Sequence, residues 1–136
     1  MGAEPLQQFS AAHAELETTL ALQREAYLAH PAPSLAERQS DLRNLQRFVR
    51  ENKEAIIAAI CADYGNRSRH ETLLLEVMPV VKDVQETQKH LAEWMRPQHR
   101  SVDRIAFGLA SNRVIPQPLG VVGVIVPWNF PLNLSM

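Results

Sequence analysis

The chain has little of what would tie it to an oxidising compartment, a membrane or a polyanion. Its 136 residues include one cysteine, Cys61, so no internal disulfide is available and a reducing compartment is expected. With 14 basic and 15 acidic side chains the formal net charge is −1, which gives no electrostatic ground for nucleic acid or an anionic membrane as a partner. No apolar run approaches the ~20 residues that cross a bilayer. The chain does not open on a basic segment followed by an apolar stretch, so it does not read as a signal peptide. Leu6 stands where a myristoylation motif wants Ser or Thr. Asn66-Arg-Ser68 and Asn133-Leu-Ser135 match the glycosylation triplet, but so short a pattern recurs by chance. There is no internal repeat, low-complexity run, charged block or clear linker. With 46% hydrophobic and 21% charged residues, the expectation is an ordinary soluble, cytoplasmic globular protein.

The organisation is helical first and strand-like last. From Ser10 to about Ala29, the residues Leu16, Leu20, Gln23 and Tyr27 recur at helical spacing, and His30-Pro-Ala-Pro33 ends that helix. Ser34-Leu-Ala-Glu37 is a capping box: the hydroxyl accepts an orphan N–H while the glutamate reaches back to the cap. Leu35, Leu42, Leu45, Val49, Ile56, Ile60 and Tyr64 then share a face, predicting one helix stopped by Gly65. A second box, Ser68-Arg-His-Glu71, opens a helix with the stripe Leu74, Val77, Met78, Val81, Val84, Leu91 and Met95. Pro79 interrupts it at a cost of ~3 kcal/mol, so a kink or two shorter helices is expected before Pro97 ends the segment. From Arg104 the period falls to two, with Ile105, Phe107 and Leu109 alternating. A turn at Ser111-Asn112 then leads into Arg113-Val-Ile115, the pattern of a hairpin.

The most informative stretch is Pro118-Leu-Gly-Val-Val-Gly-Val-Ile-Val-Pro-Trp-Asn-Phe-Pro131. Val121 to Val126 is a nearly unbroken β-branched run, the pattern of a parallel strand covered on both faces. In open α/β sheets ligands bind just beyond the carboxyl ends of such strands. Pro127 and Pro131 restrict the loop that carries Asn129, so its carboxamide is presented rigidly and can donate an N–H to an oxyanion. The competing reading is that Asn129 bonds its own turn. Trp128 on its own reads as core filling. Gly120 and Gly123 fall before and inside the strand, not between a strand and a helix, so neither is assigned to phosphate. The helices to cover such a strand are present, but its sheet neighbours are not. An unpaired apolar strand invites self-association.

Other chemistry finds little support. Cys61 lies near the apolar side of its helix and at the carboxyl end, where the dipole disfavours a thiolate, so a buried, inert thiol is expected. His13, His30, His70, His90 and His99 are scattered without paired ligand spacing, and no metal site is assigned. Glu71 is accounted for as a cap, and Glu76, Asp83, Glu86 and Glu93 as solvated helix positions.

The string from Pro118 to Pro131 resembles the NAD(P)-dependent aldehyde dehydrogenases at the start of their active site, and Arg113-Val-Ile-Pro-Gln-Pro118 is most like the class 3 and coniferyl-aldehyde dehydrogenase branch. The upstream order of helices, hairpin and strand is similar over most of the chain. The resemblance implies an α/β fold class: amino-terminal helices, a β-hairpin and the first strand of a Rossmann-like cofactor domain. Residues 1–103 would be the helical part, 104–117 a hairpin contributing to oligomerisation, and 118–136 the first strand and active-site loop. It implies Asn129 as oxyanion donor, Ile125, Val126, Pro127 and Trp128 as cofactor-lining residues, NAD or NADP as cofactor, a small-molecule aldehyde as substrate, and a homodimer or homotetramer. The nucleophilic cysteine, the general-base glutamate and the pyrophosphate-binding segment have no match here. The chain therefore reads as the amino-terminal piece of a longer enzyme, inactive alone. Two other classes stay open, a non-catalytic helical interaction module and a truncated regulatory protomer.

Overall fold

The computed structural model describes the backbone of residues 4–136 and the side chains from His13 onward. The chain forms two compact units, one reaching to Pro33 and including Gln117–Gly123, the other made of Ser34–Pro116 with Val124–Met136.

In the first unit, helix α1 spans Glu4–Ala29, starting earlier than the spacing of its leucines predicts. Leu16, Leu22 and Leu28 are exposed, while Tyr27 is half-buried. Gly120 has φ +90°, and a Cβ there would lie 3.3 Å from Cε1 of Tyr27. Glycine is thus required twice over, by the left-handed backbone and by the close approach of the ring. The Tyr27 hydroxyl donates to the Pro118 carbonyl at 3.4 Å.

The second unit begins with the predicted capping box. Ser34 Oγ accepts from the Glu37 N–H at 3.3 Å, and Glu37 Oε2 accepts from the Ser34 N–H at 2.7 Å. Helix α2 runs Leu35–Glu51 and α3 runs Lys53–Tyr64, ending at Gly65 with φ 75°. The single helix expected here is therefore broken at Asn52. Its carboxamide donates to the Phe48 carbonyl at 2.9 Å, a local side-chain bond that competes with regular helix. Helix α4 (Arg69–Thr72), a π-helical turn (Leu73–Val77) and α5 (Met78–Trp94) succeed one another without a gap.

The expected second capping box does not close, because Ser68 makes no side-chain cap bond. The interruption by Pro79 takes the form of the π-turn just ahead of it. Met78 N–H reaches Leu73 O, five residues back, and the extra residue rotates the whole of α5 relative to α4. Val77, Val84 and Leu91 of the predicted stripe are buried and Val80 joins them, whereas Leu74 and Met78 are exposed. The core is Val49, Ile57, Val77, Val80 and Val84, with Leu42, Leu45, Ile56, Leu73, Val81 and Leu132 packed around it. Helix α2 lies along α5, and Gln46 Nε2 donates to the Val81 carbonyl at 3.4 Å.

The hairpin is displaced from its predicted place. Its strands are β1 (Gln98–Arg100) and β2 (Asn112–Val114), antiparallel with His99 opposite Arg113. The segment whose alternation suggested a strand is instead the short helix α6 (Arg104–Phe107), because Asp103 Oδ1 caps it by accepting from the N–H groups of Ile105 and Ala106 at 2.9 and 3.2 Å. The strand predicted at Val121 to Val126 is not formed, since the one ladder among the described residues is β1–β2 and these residues join no ladder. The described structure is mostly helical with this small sheet, as a partial α/β protein would be. Among the described residues no helix is long and apolar enough to cross a membrane.

Ser34→Ala removes one half of a closed capping box and is expected to destabilise the fold by about 1 kcal/mol. Gly120→Ala, strained at its φ and crowded by Tyr27, should cost about 1–3 kcal/mol. Chemical denaturation followed by helical circular dichroism measures both, and a neutral Gly120→Ala would mean that the Tyr27 contact does not govern this turn.

Candidate active-site loop

Residues 128–135 follow the Val121–Val126 segment and form a series of turns stabilised from within and from outside. Inside, the Leu134 N–H donates to the Phe130 carbonyl at 3.3 Å, and the Ser135 N–H and Oγ both donate to the Leu132 carbonyl, at 3.1 and 2.8 Å. The outer support comes from three side chains on α3, on the α3–α4 connection and in the π-turn. Tyr64 donates its hydroxyl to the Trp128 carbonyl at 2.9 Å. Arg67 Nη1 donates both to the Asn129 carbonyl at 3.0 Å and to Glu76 Oε1 at 2.9 Å. Glu76 Oε2 accepts from the N–H groups of Leu132 and Asn133 at 3.1 and 2.9 Å.

Glu76 is wholly buried and Arg67 is 7% exposed, so the solvated position expected for Glu76 is overturned. A buried carboxylate far from water needs charge or hydrogen-bond partners on both oxygens. Here three donors converge on them, which matches an acceptor-only group. The guanidinium is enclosed in turn: its central carbon sits 4.8 Å from the Tyr64 ring centroid and 5.5 Å from that of Phe130. Glu71, predicted as a cap, is 3.5 Å from Arg67 Nε, an ion-pair distance without a hydrogen bond. Asp83 and Glu93 are exposed as expected, and Glu86 is half-buried. On α5 the Glu86 carboxyl is held below the usual carboxylate range, first by a hydrogen bond from Lys89 and then by that residue's charge.

The sequence-predicted site residues take distinct positions on this frame. Asn129 is exposed; its carbonyl is held by Arg67, and no described hydrogen bond engages its carboxamide. Trp128 is 80% exposed, with its ring 5.8 Å from that of Tyr64, and Ile125 is fully exposed. Pro127 is exposed and Val126 half-buried. Asp63, Tyr64, Trp128 and Pro131 line a cavity of ≈ 420 Å³ beside the indole. Cys61 is half-buried, not fully buried as its helical position suggested. Among the described residues, no group of three or more His, Cys, Asp and Glu side chains is placed to hold a metal ion.

The arrangement is a loop with a fixed main chain and exposed Trp128 and Asn129 at the end of a β-branched segment, and sequence comparison decides its kind. The model of the aldehyde dehydrogenase family matches residues 3–136. The chain belongs to the aldehyde dehydrogenase family. It is 45% identical over 122 residues, 90% of this chain and 25% of the relative, to a probable coniferyl aldehyde dehydrogenase of Pseudomonas aeruginosa. Identity to the coniferyl aldehyde dehydrogenase of a Pseudomonas species is 41% over 121 residues, covering 89% of this chain and 24% of that one. With the family 3 aldehyde dehydrogenase comG of Dictyostelium discoideum it is 30% over 113 residues, 83% of this chain and 24% of that one. The chain thus spans about a quarter of the length of these relatives. Its likeness to the class 3 and coniferyl-aldehyde branch, read from Arg113 to Pro131, holds over most of the chain.

Tyr64, Arg67, Glu76 and Phe130 frame the candidate loop, and sequence reasoning did not single them out for it. For Glu76 a signal was present: it is a lone acid inside Leu73-Leu-Leu-Glu-Val77, a run otherwise apolar. Removing one partner of the buried pair should be costly. Glu76→Ala is expected to lower stability by about 3–5 kcal/mol, against about 0.5 kcal/mol or less for Glu93→Ala on the exposed face of α5. Urea unfolding of both variants makes the comparison; equal, small effects would remove the pair from its structural role.

Proposed function

We propose that the chain forms the amino-terminal part of an NAD- or NADP-dependent aldehyde dehydrogenase that oxidises aldehydes to carboxylic acids through a cysteine thiohemiacetal. Its substrates are aromatic aldehydes such as coniferyl aldehyde, or longer aliphatic ones. Family membership supports the reaction class, and the names of the Pseudomonas relatives support the substrate. The enzyme acts in the cytoplasm as a homodimer or homotetramer, with the β1–β2 hairpin contributing to subunit assembly.

The observation that carries the reading is Asn129, whose main chain is held by Arg67 while its carboxamide is exposed and unengaged. When a thiolate adds to an aldehyde, negative charge develops on the carbonyl oxygen. An N–H already aimed at that oxygen stabilises it without reorganising, which is what a donor on a fixed loop supplies. Asn129 is that donor. Ile125 and Trp128 offer apolar surface with no internal contact to satisfy their outer faces, and Val126 and Pro127 continue the wall. Such a surface fits the flat rings of a dinucleotide. A bound NAD or NADP supplies the hydride acceptor. Cys61, half-buried near the carboxyl end of α3 where the helix dipole disfavours a thiolate, is not assigned as the nucleophile.

In the complete enzyme, Asn129→Ala is expected to lower turnover by ~10²–10³, the range for one oxyanion donor. The cofactor dissociation constant should stay within about threefold, or roughly 0.6 kcal/mol. Trp128→Ala should weaken cofactor binding more than hydride transfer. Single-turnover hydride transfer and cofactor titration separate the two, and wild-type transfer by Asn129→Ala would make the residue a turn-former only. The 136-residue chain alone is expected not to reduce NAD or NADP with benzaldehyde or coniferaldehyde. Turnover abolished by Cys61→Ser would overturn the exclusion of that thiol.

A further inference from the structure

Two peptide planes flank the Cα of Asn129, and each has its carbonyl oxygen held by a different side chain. Tyr64 donates to the Trp128 carbonyl at 2.9 Å, and Arg67 donates to the Asn129 carbonyl at 3.0 Å. With both planes tethered, the φ and ψ of Asn129 are set from outside the loop, and with them the origin and direction of its side chain. Pro127 and Pro131 restrict the loop's own dihedrals. Glu76 completes the attachment. It orients the Arg67 guanidinium through Oε1 and anchors the loop downstream through the N–H groups of Leu132 and Asn133 on Oε2.

We propose that Tyr64, Arg67 and Glu76 are positioning residues for the reaction, acting through the main chain of the 128–133 loop to aim the Asn129 carboxamide at the developing oxyanion. The proposal rests on the oxyanion role of Asn129 argued above. None of the three side chains has to touch substrate or cofactor. Misplacement of a catalytic group by about 1 Å can cost 10²-fold in rate, so loosening this frame should act on the chemical step. Glu76→Gln keeps the size of the side chain but turns one acceptor into a donor. Whichever way the amide faces, it opposes either the guanidinium or the two loop N–H groups. Tyr64→Phe keeps the ring beside Trp128 and Arg67 and deletes only the hydroxyl.

The test is single-turnover hydride transfer and cofactor titration on the complete enzyme, with each substitution alone and combined with Asn129→Ala. Glu76→Gln should slow hydride transfer about 10- to 10²-fold. Tyr64→Phe should slow it about threefold to tenfold, the scale of one hydrogen bond. Both should leave the cofactor dissociation constant within about threefold, and neither should slow the enzyme further once Asn129 is alanine. A general loss of structure would instead weaken cofactor binding and multiply with Asn129→Ala, and either result overturns the proposal. So does a folded Glu76→Gln enzyme with wild-type transfer. If Glu76→Gln does not fold, Tyr64→Phe decides by the same criteria, with wild-type or multiplicative behaviour counting against. Should Asn129→Ala itself transfer hydride normally, the oxyanion reading fails, an outcome separate from failure of the positioning variants.

Discussion

The structure around the candidate site depends on one buried ion pair, Arg67 with Glu76. Taking two charges out of water costs several kcal/mol per ion and is tolerated when the pair is close and its remaining hydrogen-bonding capacity is filled. The first condition is met, and the second is met on the carboxylate, while Arg67 Nε has only its ion-pair contact to Glu71. The charges meet at 2.9 Å, the second carboxylate oxygen takes two backbone N–H groups, and the guanidinium lies near the Tyr64 and Phe130 rings. The pair joins the α3–α4 connection and the π-turn before α5 to the loop at residues 128–133, more than fifty residues away in sequence. Leu132, next to Phe130-Pro131, packs on the Val49, Ile57, Val77, Val80 and Val84 core, so loop and core are coupled by apolar contact as well.

The π-turn connects this electrostatics to the backbone. Pro79 has no N–H to offer Leu75, four residues back, and a regular helix through it would carry that loss plus a ring clash. Widening the turn over Leu73–Val77 gives the Met78 N–H a partner at Leu73. The extra residue brings Glu76 and Val77 together into the interior, one reaching the loop and the other the core. A feature first legible as a helix interruption thus sits beside the charge that holds the candidate active-site loop, in keeping with the tendency of such turns to occur at functional sites.

Legibility in the sequence followed the range of the interactions. Local devices could be read directly: the Ser34–Glu37 box and the Gly65 stop depend on neighbours within a few residues. The family emerged from the Pro118–Pro131 string, a pattern long enough to exclude chance. Features set by contacts distant in the chain could not be read this way. The alternation of Ile105, Phe107 and Leu109 suggested a strand, yet Asp103 capped a helical turn there and the hairpin formed from the flanking residues. Glu76 looked like one more helix-surface acid because periodicity cannot see a guanidinium nine residues away or loop amides more than fifty residues away. Val121 to Val126 has the composition of a buried strand, but composition does not supply the neighbouring strands that a ladder requires.

The central claim is that Glu76, with Arg67, fixes the main chain of the loop that carries Asn129. Amide hydrogen exchange reads it directly at Leu132 and Asn133, whose N–H groups end on Glu76 Oε2. The account predicts slow exchange at these two amides in the wild-type complete enzyme. In Glu76→Gln they should become fast-exchanging, while the amides of α2 and the later turns of α5 keep their protection. Fast exchange at Leu132 and Asn133 in the wild type, or protection unchanged by the substitution, would contradict it.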